Sequence, residues 1–306
     1  MMTNENSENV TAELSFPPSE KSYRQDAGSL MAIDLAAATH QGHVRTNNED
    51  HHLVVRFRRS LENLHSNLAE GMLAPSYNVT GYGLLVADGL GGMAAGEVAS
   101  RTALTRLVEL VVDTPDWMLD LKQPQHSQVV VDRMIERFHK LDRTIREQAE
   151  RDATLSGMAT TLTVAATLGR DLVIGHVGDS RAYLFHDGSL SQITKDHTLA
   201  QALIEAGVAG QDEPATRSMR HVLTAALGSF GPQTKPETWH LQLSEDDQLL
   251  LCTDGLTEMV DDKTIASLLR SAESADRACE DLVTMALAAG GLDNVTVVLA
   301  RFGAPN

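Results

Sequence analysis

Two hydrophobic rhythms alternate along this chain. Short apolar or alternating runs read as strands: "MAIDLAAATH", "HHLVVRF", "GYGLLVADG", "MATTLTVAATL", "DLVIGHVGDSRAYLFHDG", "LSQIT", "WHLQLSEDDQLLLCTDG" and "NVTVVLARF". Helical spacing takes over at Ala95, Val98, Ala99, Ala103, Leu107, Leu110 and Val111. It returns at Val131, Met134, Ile135, Phe138, Leu141, Ile145 and Ala149. The proline-bearing "DTPDWMLDLKQPQHS" separates these two helices. "DHTLAQALIEAG" predicts a third helix, opened by Asp196 and stopped by Gly207, and 276–289 predicts another. "HDGS" is a hairpin turn signal. Helices thus fall in pairs between groups of strands joined by short turns. That order predicts an α+β fold, an α/β/β/α sandwich of two packed, mainly antiparallel sheets flanked by helix pairs. Residues 1–28, rich in Asn, Glu, Ser and Pro, read as a disordered tail before one domain over 29–306. The stretch 60–80 reads as an inserted loop.

The apolar runs end in a recurring way. "GLLVADG" stops at Asp88-Gly89 and "LLLCTDG" at Asp254-Gly255. "VIGHVGDS" stops at Asp179, while "NNED" and "GGLDN" bring Glu49, Asp50 and Asp293 beside other runs. One such acid is ordinarily a turn-former or helix cap. Several at the ends of core strands would converge as like charges, which is costly unless a cation lies between them. An all-oxygen donor set suits Mg2+ or Mn2+, and a glycine after the acid lets a backbone carbonyl approach as a further ligand. Zinc is disfavoured, because the 12 histidines and two cysteines form no HExxH or Cys/His ligand set. Residues 89–94 formally fit G-x-G-x-x-A. A dinucleotide site nevertheless lacks its ribose-binding acid, and Asp88 would oppose a pyrophosphate. Arg45, five positions before Asp50, could clamp a phosphate or pair with a nearby acid; both readings stay open here.

Composition narrows the partners. A net charge of −17 argues against nucleic acid and anionic membranes. No apolar run is long enough to span a membrane, and no signal peptide opens the sequence, so a cytoplasmic protein is expected. Cys252 lies within an apolar run and reads as a buried thiol.

Taken in order, "GHVRTNNED", "VADGLGG", "SGMATTLTVA", "GHVGDSRAYL", "TKDHTL", "VLTAALG", "LLLCTDGL" and "GGLDNVTVVL" resemble the bacterial metal-dependent, type 2C (PPM family) protein Ser/Thr phosphatases over about residues 32–302. The resemblance implies two Mn2+ or Mg2+ ions and a third, weaker one. Asp88 would bridge the pair and the Gly89 carbonyl would hold the second ion. Asp254 and Asp293 would hold the first, Glu49 and Asp50 would act near the site, partly through bound waters, and Asp179 would help bind the third. Arg45 would clamp the substrate phosphate, and 200–221 would be a flap beside the site. Hydrolysis of phosphoserine or phosphothreonine would follow from attack by a metal-bridging hydroxide. The implied partners are phosphorylated proteins, the substrates of a bacterial Ser/Thr kinase.

The chain also departs from the family. Leu90 and Met93 stand where relatives carry histidine, so the acid that protonates the leaving group is unassigned. A metal-bound water, His43, His52 and His197 are the alternatives. "QDEPATRSMRHV" lacks the His-Pro often found before "LTAALG". A catalytically weak or inactive phosphoprotein-binding relative, acting as a regulatory partner, is the competing reading.

Overall fold

The computed structural model describes residues 31–69, 72–73, 76–91, 95–114, 124–210, 213, 216, 218–231 and 233–304. The expected N-terminal tail, Met93 and part of the flap lie outside them. In chain order the elements are β1 (Ala32–His40), β2 (Asp50–Glu62), β3 (Ser76–Leu90), α1 (Ala95–Asp113), α2 (Pro124–Arg151), β4 (Ala159–Thr160), β5 (Leu162–Leu168), β6 (Asp171–Val177), β7 (Arg181–His186), β8 (Ser189–Gln192), α3 (Leu199–Glu205), β9 (Glu237–Gln242), β10 (Gln248–Cys252), the single turn α4 (Asp254–Thr257), α5 (Asp262–Ser271), α6 (Ala275–Ala288) and β11 (Val295–Gly303). One sheet runs β1-β11-β10-β7-β8 and the other β2-β3-β5-β6-β9, with β4 paired to β3. Every pairing is antiparallel. No helix of the described residues is long and apolar enough to cross a membrane.

Period-two alternation sorts the strand side chains into layers. On β3, Leu84 and Val86 enter the core between the sheets, whereas Leu85 and Ala87 pack under α1 and α2. On β10, Leu249 and Leu251 face between the sheets, while Leu250 and Cys252 face α5 and α6. On β11, Val298, Ala300 and Phe302 face inward, and Val297 and Leu299 outward. Both sheets are therefore covered on both faces, which is the expected four-layer sandwich.

The same parity can be followed to one end of the inter-sheet layer. Beyond Val54 come His52 and then Asp50, and beyond Val86 comes Asp88, which stands directly opposite Asp50. Beyond Leu251 the next is Thr253; beyond Val298 come Thr296 and Asn294; beyond Ala165 come Thr163 and Thr161; beyond Ala37 comes Thr39. The core between the sheets thus changes from apolar to polar at one end, strand after strand. A one-residue slip in any ladder would turn these groups to the other face.

Three expectations need correction, and one helix is new. Residues 60–80 are not wholly loop, because Ser60–Glu62 pairs with Ser76–Asn78 and extends the β2–β3 ladder. "MATTLTVAATL" is two strands, broken at Thr161, whose N–H turns to the Asp88 carbonyl (2.9 Å). α3 is capped by Thr198, whose side chain accepts the Gln201 N–H. Asp196 instead takes two hydrogen bonds from Arg181 (2.8 and 2.6 Å). α5 was not foreseen from the sequence; Asp261 caps it and it buries only Ile265 and Leu269, too sparse a stripe to stand out.

Leu251 is fully buried between the sheets, so Leu251→Ala should lower unfolding free energy by about 2–5 kcal/mol in urea titrations. Val112→Ala, at a position 65% exposed, should change it by less than about 0.5 kcal/mol.

Candidate metal centre

The polar end of the inter-sheet layer opens into a cavity of about 270 Å³. Arg45, Glu49, Asp88, Gly89, Asp179, Asp254 and Asp293 all line it, together with Leu90, His221 and Asn294. Asp50 sits behind Asp88 and is 5% exposed. A second cavity of about 270 Å³ shares Asp179, Asp254 and His221 as a common wall and adds Arg181, Asp196, Arg220 and Glu258. All the acids singled out from the sequence therefore meet at one place, although they come from five separate segments.

Their backbones are held closely. The Asp88 N–H donates to Thr161 Oγ1 (2.9 Å), and its carbonyl accepts from Thr160 Oγ1 (2.8 Å). The Glu49 N–H donates to Asn294 Oδ1 (2.8 Å), and its carbonyl accepts from Ser100 Oγ (2.6 Å) and the Gly89 N–H (3.2 Å). Asn294 also donates through Nδ2 to the carbonyls of Gln41 and Asn47, both at 2.8 Å, which ties the β1–β2 loop to the start of β11. Thr253 Oγ1 donates to Asp50 Oδ2 (2.8 Å) and accepts the Thr296 N–H (3.0 Å). Thr161, Ser100, Thr253 and Asn294 were not picked out from the sequence; Thr253 and Asn294 adjoin Asp254 and Asp293, while Thr161 and Ser100 adjoin none of the site acids.

Gly89 has a packing reason beyond any ligand role. A Cβ there would lie 2.1 Å from the Gly96 carbonyl oxygen and 2.8 Å from the Glu49 carbonyl oxygen. A Cβ on Gly96 would in turn lie 2.7 Å from Gly89 and 2.9 Å from the Glu49 carboxyl carbon. The strand end carrying Asp88 can approach the first turn of α1 only where neither side bears a side chain.

The electrostatics are unfavourable for the acids alone. Burial, followed by the charges of Asp50, Asp254, Asp179 and Asp293, holds the Asp88 carboxyl well above its usual range. Asp254 is raised in the same way, by burial and then by Asp179 and Glu258. Burial pushes Asp50 and Asp179 up to about 7. Among the described residues, Asp50 Oδ1 and Asp254 Oδ1 are buried without a hydrogen-bond partner. Orphaned oxygens among converging acids fit a divalent cation, and the oxygen donors suit Mg2+ or Mn2+. His221, Asp254 and Glu258 additionally bring donor atoms within 4.8 Å of one another.

Arg45 donates to Asp293 Oδ2 at 2.5 Å, so of its two sequence readings the ion pair is the one formed here. That hydrogen bond, before the charges of Asp293, Asp88 and Asp254, raises its pKa further. Its side chain nevertheless stays 53% exposed on the cavity wall. His43, His52 and His197 do not line the cavity. His221, inside the quoted "SMRHV", does; its Nδ1 lies 2.7 Å from Glu258 Oε1. The Cys252 thiol is buried and pushed up to about 12, as its place in a strand predicted.

Raised carboxyl pKa values fix the sign of a pH effect. Between the ordinary value of 3.8 and about 7, the folded chain keeps protons on Asp50 and Asp179 that the unfolded chain releases. Their contribution to metal-free stability is therefore greatest at low pH and is lost as pH rises through about 7. Thermal melts in EDTA should show Asp88→Asn more stable than wild type at about pH 8, by roughly 2–4 °C for each kcal/mol of repulsion removed. The gap should close near pH 5, and Mn2+ should stabilise wild type more than the variant.

Residues 76–289 match the family described as Protein phosphatase 2C. The serine/threonine protein phosphatase PstP of Mycobacterium tuberculosis is 38% identical over 224 residues, covering 71% of this chain and 40% of PstP. This chain thus spans well under half the length of that relative. Protein phosphatase PhpP of Streptococcus pneumoniae is 30% identical over 270 residues, covering 87% of this chain and 96% of PhpP. The crystal structure of M. tuberculosis PstP superposes with a TM-score of 0.70 at 32% identity, covering 90% of this chain and all of that one. The PstP catalytic domain in complex with two manganese ions gives a TM-score of 0.68 at 33% identity, covering 89% of this chain and 99% of that one. The family match, the sequence identities and the superpositions agree, and the chain belongs to the protein phosphatase 2C family.

Proposed function

We propose that residues 29–306 form a catalytic domain that hydrolyses phosphoserine and phosphothreonine in proteins, with two Mn2+ or Mg2+ ions and a third, weaker one. The observation that carries this reading is the convergence of buried acids with unpartnered oxygens at Asp50 and Asp254. Asp88, the Gly89 carbonyl, Asp254 and Asp293 would hold the pair, with Glu49 and Asp50 close by; Asp179 would serve the third. When bound, such ions supply Lewis-acid activation of water and positive charge for the phosphoryl group.

The chain's own residues do the rest. The hydroxyls and amide around the acids fix their main chains, so the carboxylates stay aimed at the cavity. Arg45 is placed to exchange Asp293 for two phosphate oxygens once a cation shares that carboxylate's charge. Leu90 offers no proton, and the histidine that faces the cavity among the described residues is His221. Neither cysteine is available as a nucleophile, since both are buried. Substrates would be targets of a bacterial Ser/Thr kinase in the cytoplasm; the net charge of −17 disfavours nucleic acid.

Phosphate release from a phosphothreonine peptide should require Mn2+ or Mg2+ and stop in EDTA. Asp254→Asn should lower kcat at least about 100-fold, the upper end of what losing an outer-shell partner costs. Arg45→Ala should lower kcat/KM about 10²–10³-fold. EDTA-resistant release, or full activity in Asp254→Asn, would overturn the reading.

A further inference from the structure

His197 touches none of the proposed ligands, yet it holds the peptide next to one of them. Its backbone N–H donates to the Gly178 carbonyl (2.7 Å), and its Nδ1 accepts the Gly178 N–H (3.2 Å). One residue thus engages both polar groups of the glycine that precedes Asp179. An accepting Nδ1 leaves the ring proton on Nε2, which points to Glu237 Oε1 at 3.6 Å.

Gly178 is pressed from the opposite side. Its φ is +113°, and a Cβ would lie 2.5 Å from the side chain of Thr161. Thr161 is the residue that accepts the Asp88 N–H. His176 adds a third contact, with Nε2 3.0 Å from the Gly178 carbonyl. The peptide before Asp179 is therefore wedged between the support of Asp88 and the imidazole of His197.

The remaining bonds of this segment lead to the flap. The His197 carbonyl accepts the Thr224 N–H (2.8 Å), and the Leu199 N–H donates to the Val222 carbonyl (2.7 Å). These bonds join the two roots of the 200–221 segment, just beside cavity-lining His221 and Leu223.

We infer that His197 is a positioning residue, which fixes Asp179 at the cavity and couples that carboxylate to the roots of the flap. The role of Asp179 rests on the phosphatase reading above. Asparagine places Oδ1 where histidine places Nδ1, one bond from Cγ; glutamine and leucine do not.

The test compares full-length wild type, His197→Asn, His197→Gln, His197→Leu and Asp179→Asn. Two readouts are used: deuterium exchange at the Gly178 amide, and the Mn2+ concentration giving half-maximal phosphate release. His197→Gln and His197→Leu should speed Gly178 exchange about tenfold or more, as expected for local opening. They should raise the Mn2+ requirement about 10–100-fold, with kcat at saturating Mn2+ falling less. His197→Asn should restore both readouts, and adding His197→Leu to Asp179→Asn should raise the Mn2+ requirement no further. Wild-type exchange in His197→Leu, equal damage from Asn and Leu, or additive effects with Asp179→Asn would overturn the inference. If His197→Leu does not fold, the Asn and Gln variants carry the comparison. If wild type releases no phosphate with any metal, the phosphatase reading fails, while exchange at Gly178 still decides whether His197 clamps that peptide.

Discussion

Asp50 and Asp88 stand opposite one another on the last inward-facing rung of the β2–β3 ladder, and Asp254, Asp179 and Asp293 close on the same point. At this buried end of the inter-sheet layer, burial penalises each charge, and each charge penalises the next. The fold holds these groups together against that repulsion. It does so with the stability of two sheets whose central strands are buried on both faces. The marginal part of the molecule and its robust part therefore share the same strands.

The way the acids are held follows from this constraint. Apart from Arg45, which pairs with Asp293, the restraint on these acids falls mostly on main-chain groups. Thr160, Thr161, Ser100 and Asn294 bond the backbones of Asp88 and Glu49 and leave their carboxylates alone. Arg181 shows the same economy. It lies two residues from Asp179, but Asp196 takes its guanidinium at 2.8 and 2.6 Å and Tyr183 accepts at 2.9 Å. Gly89 and Gly96 complete the arrangement by letting Asp88 approach α1 without a side chain between them.

Much of this was legible in the sequence because an apolar run that stops at an acid is visible without knowing where the strand goes. The six acids and Gly89 were readable on that basis, and the sandwich from the order of strands and helices, while Arg45 stayed open between a phosphate clamp and an ion pair. Neighbours whose value depends on distant partners were not. Asn294 matters through Gln41, Asn47 and Glu49, and Thr253 through Asp50, and no local pattern distinguishes either from an ordinary loop residue. His221 was overlooked because it stands in an irregular segment, and its distance from the acids along the chain hides its nearness in space. Asp196 looked like a helix cap, since capping is a local rule and its real partner, Arg181, lies 15 residues back on β7.

The sequence by itself determined which residues alternate, where each apolar run stops and which acids stand at the stops, because those are properties of neighbours along the chain. Tertiary structure alone decided that the stops coincide, that Asp50 faces Asp88, and that Arg45 rests on Asp293. It also decided that His197 grips the peptide before Asp179. The physical reason is register: inward or outward facing is set by a period of two within a strand, but which strand ends meet is set by how the ladders align and how the two sheets pack.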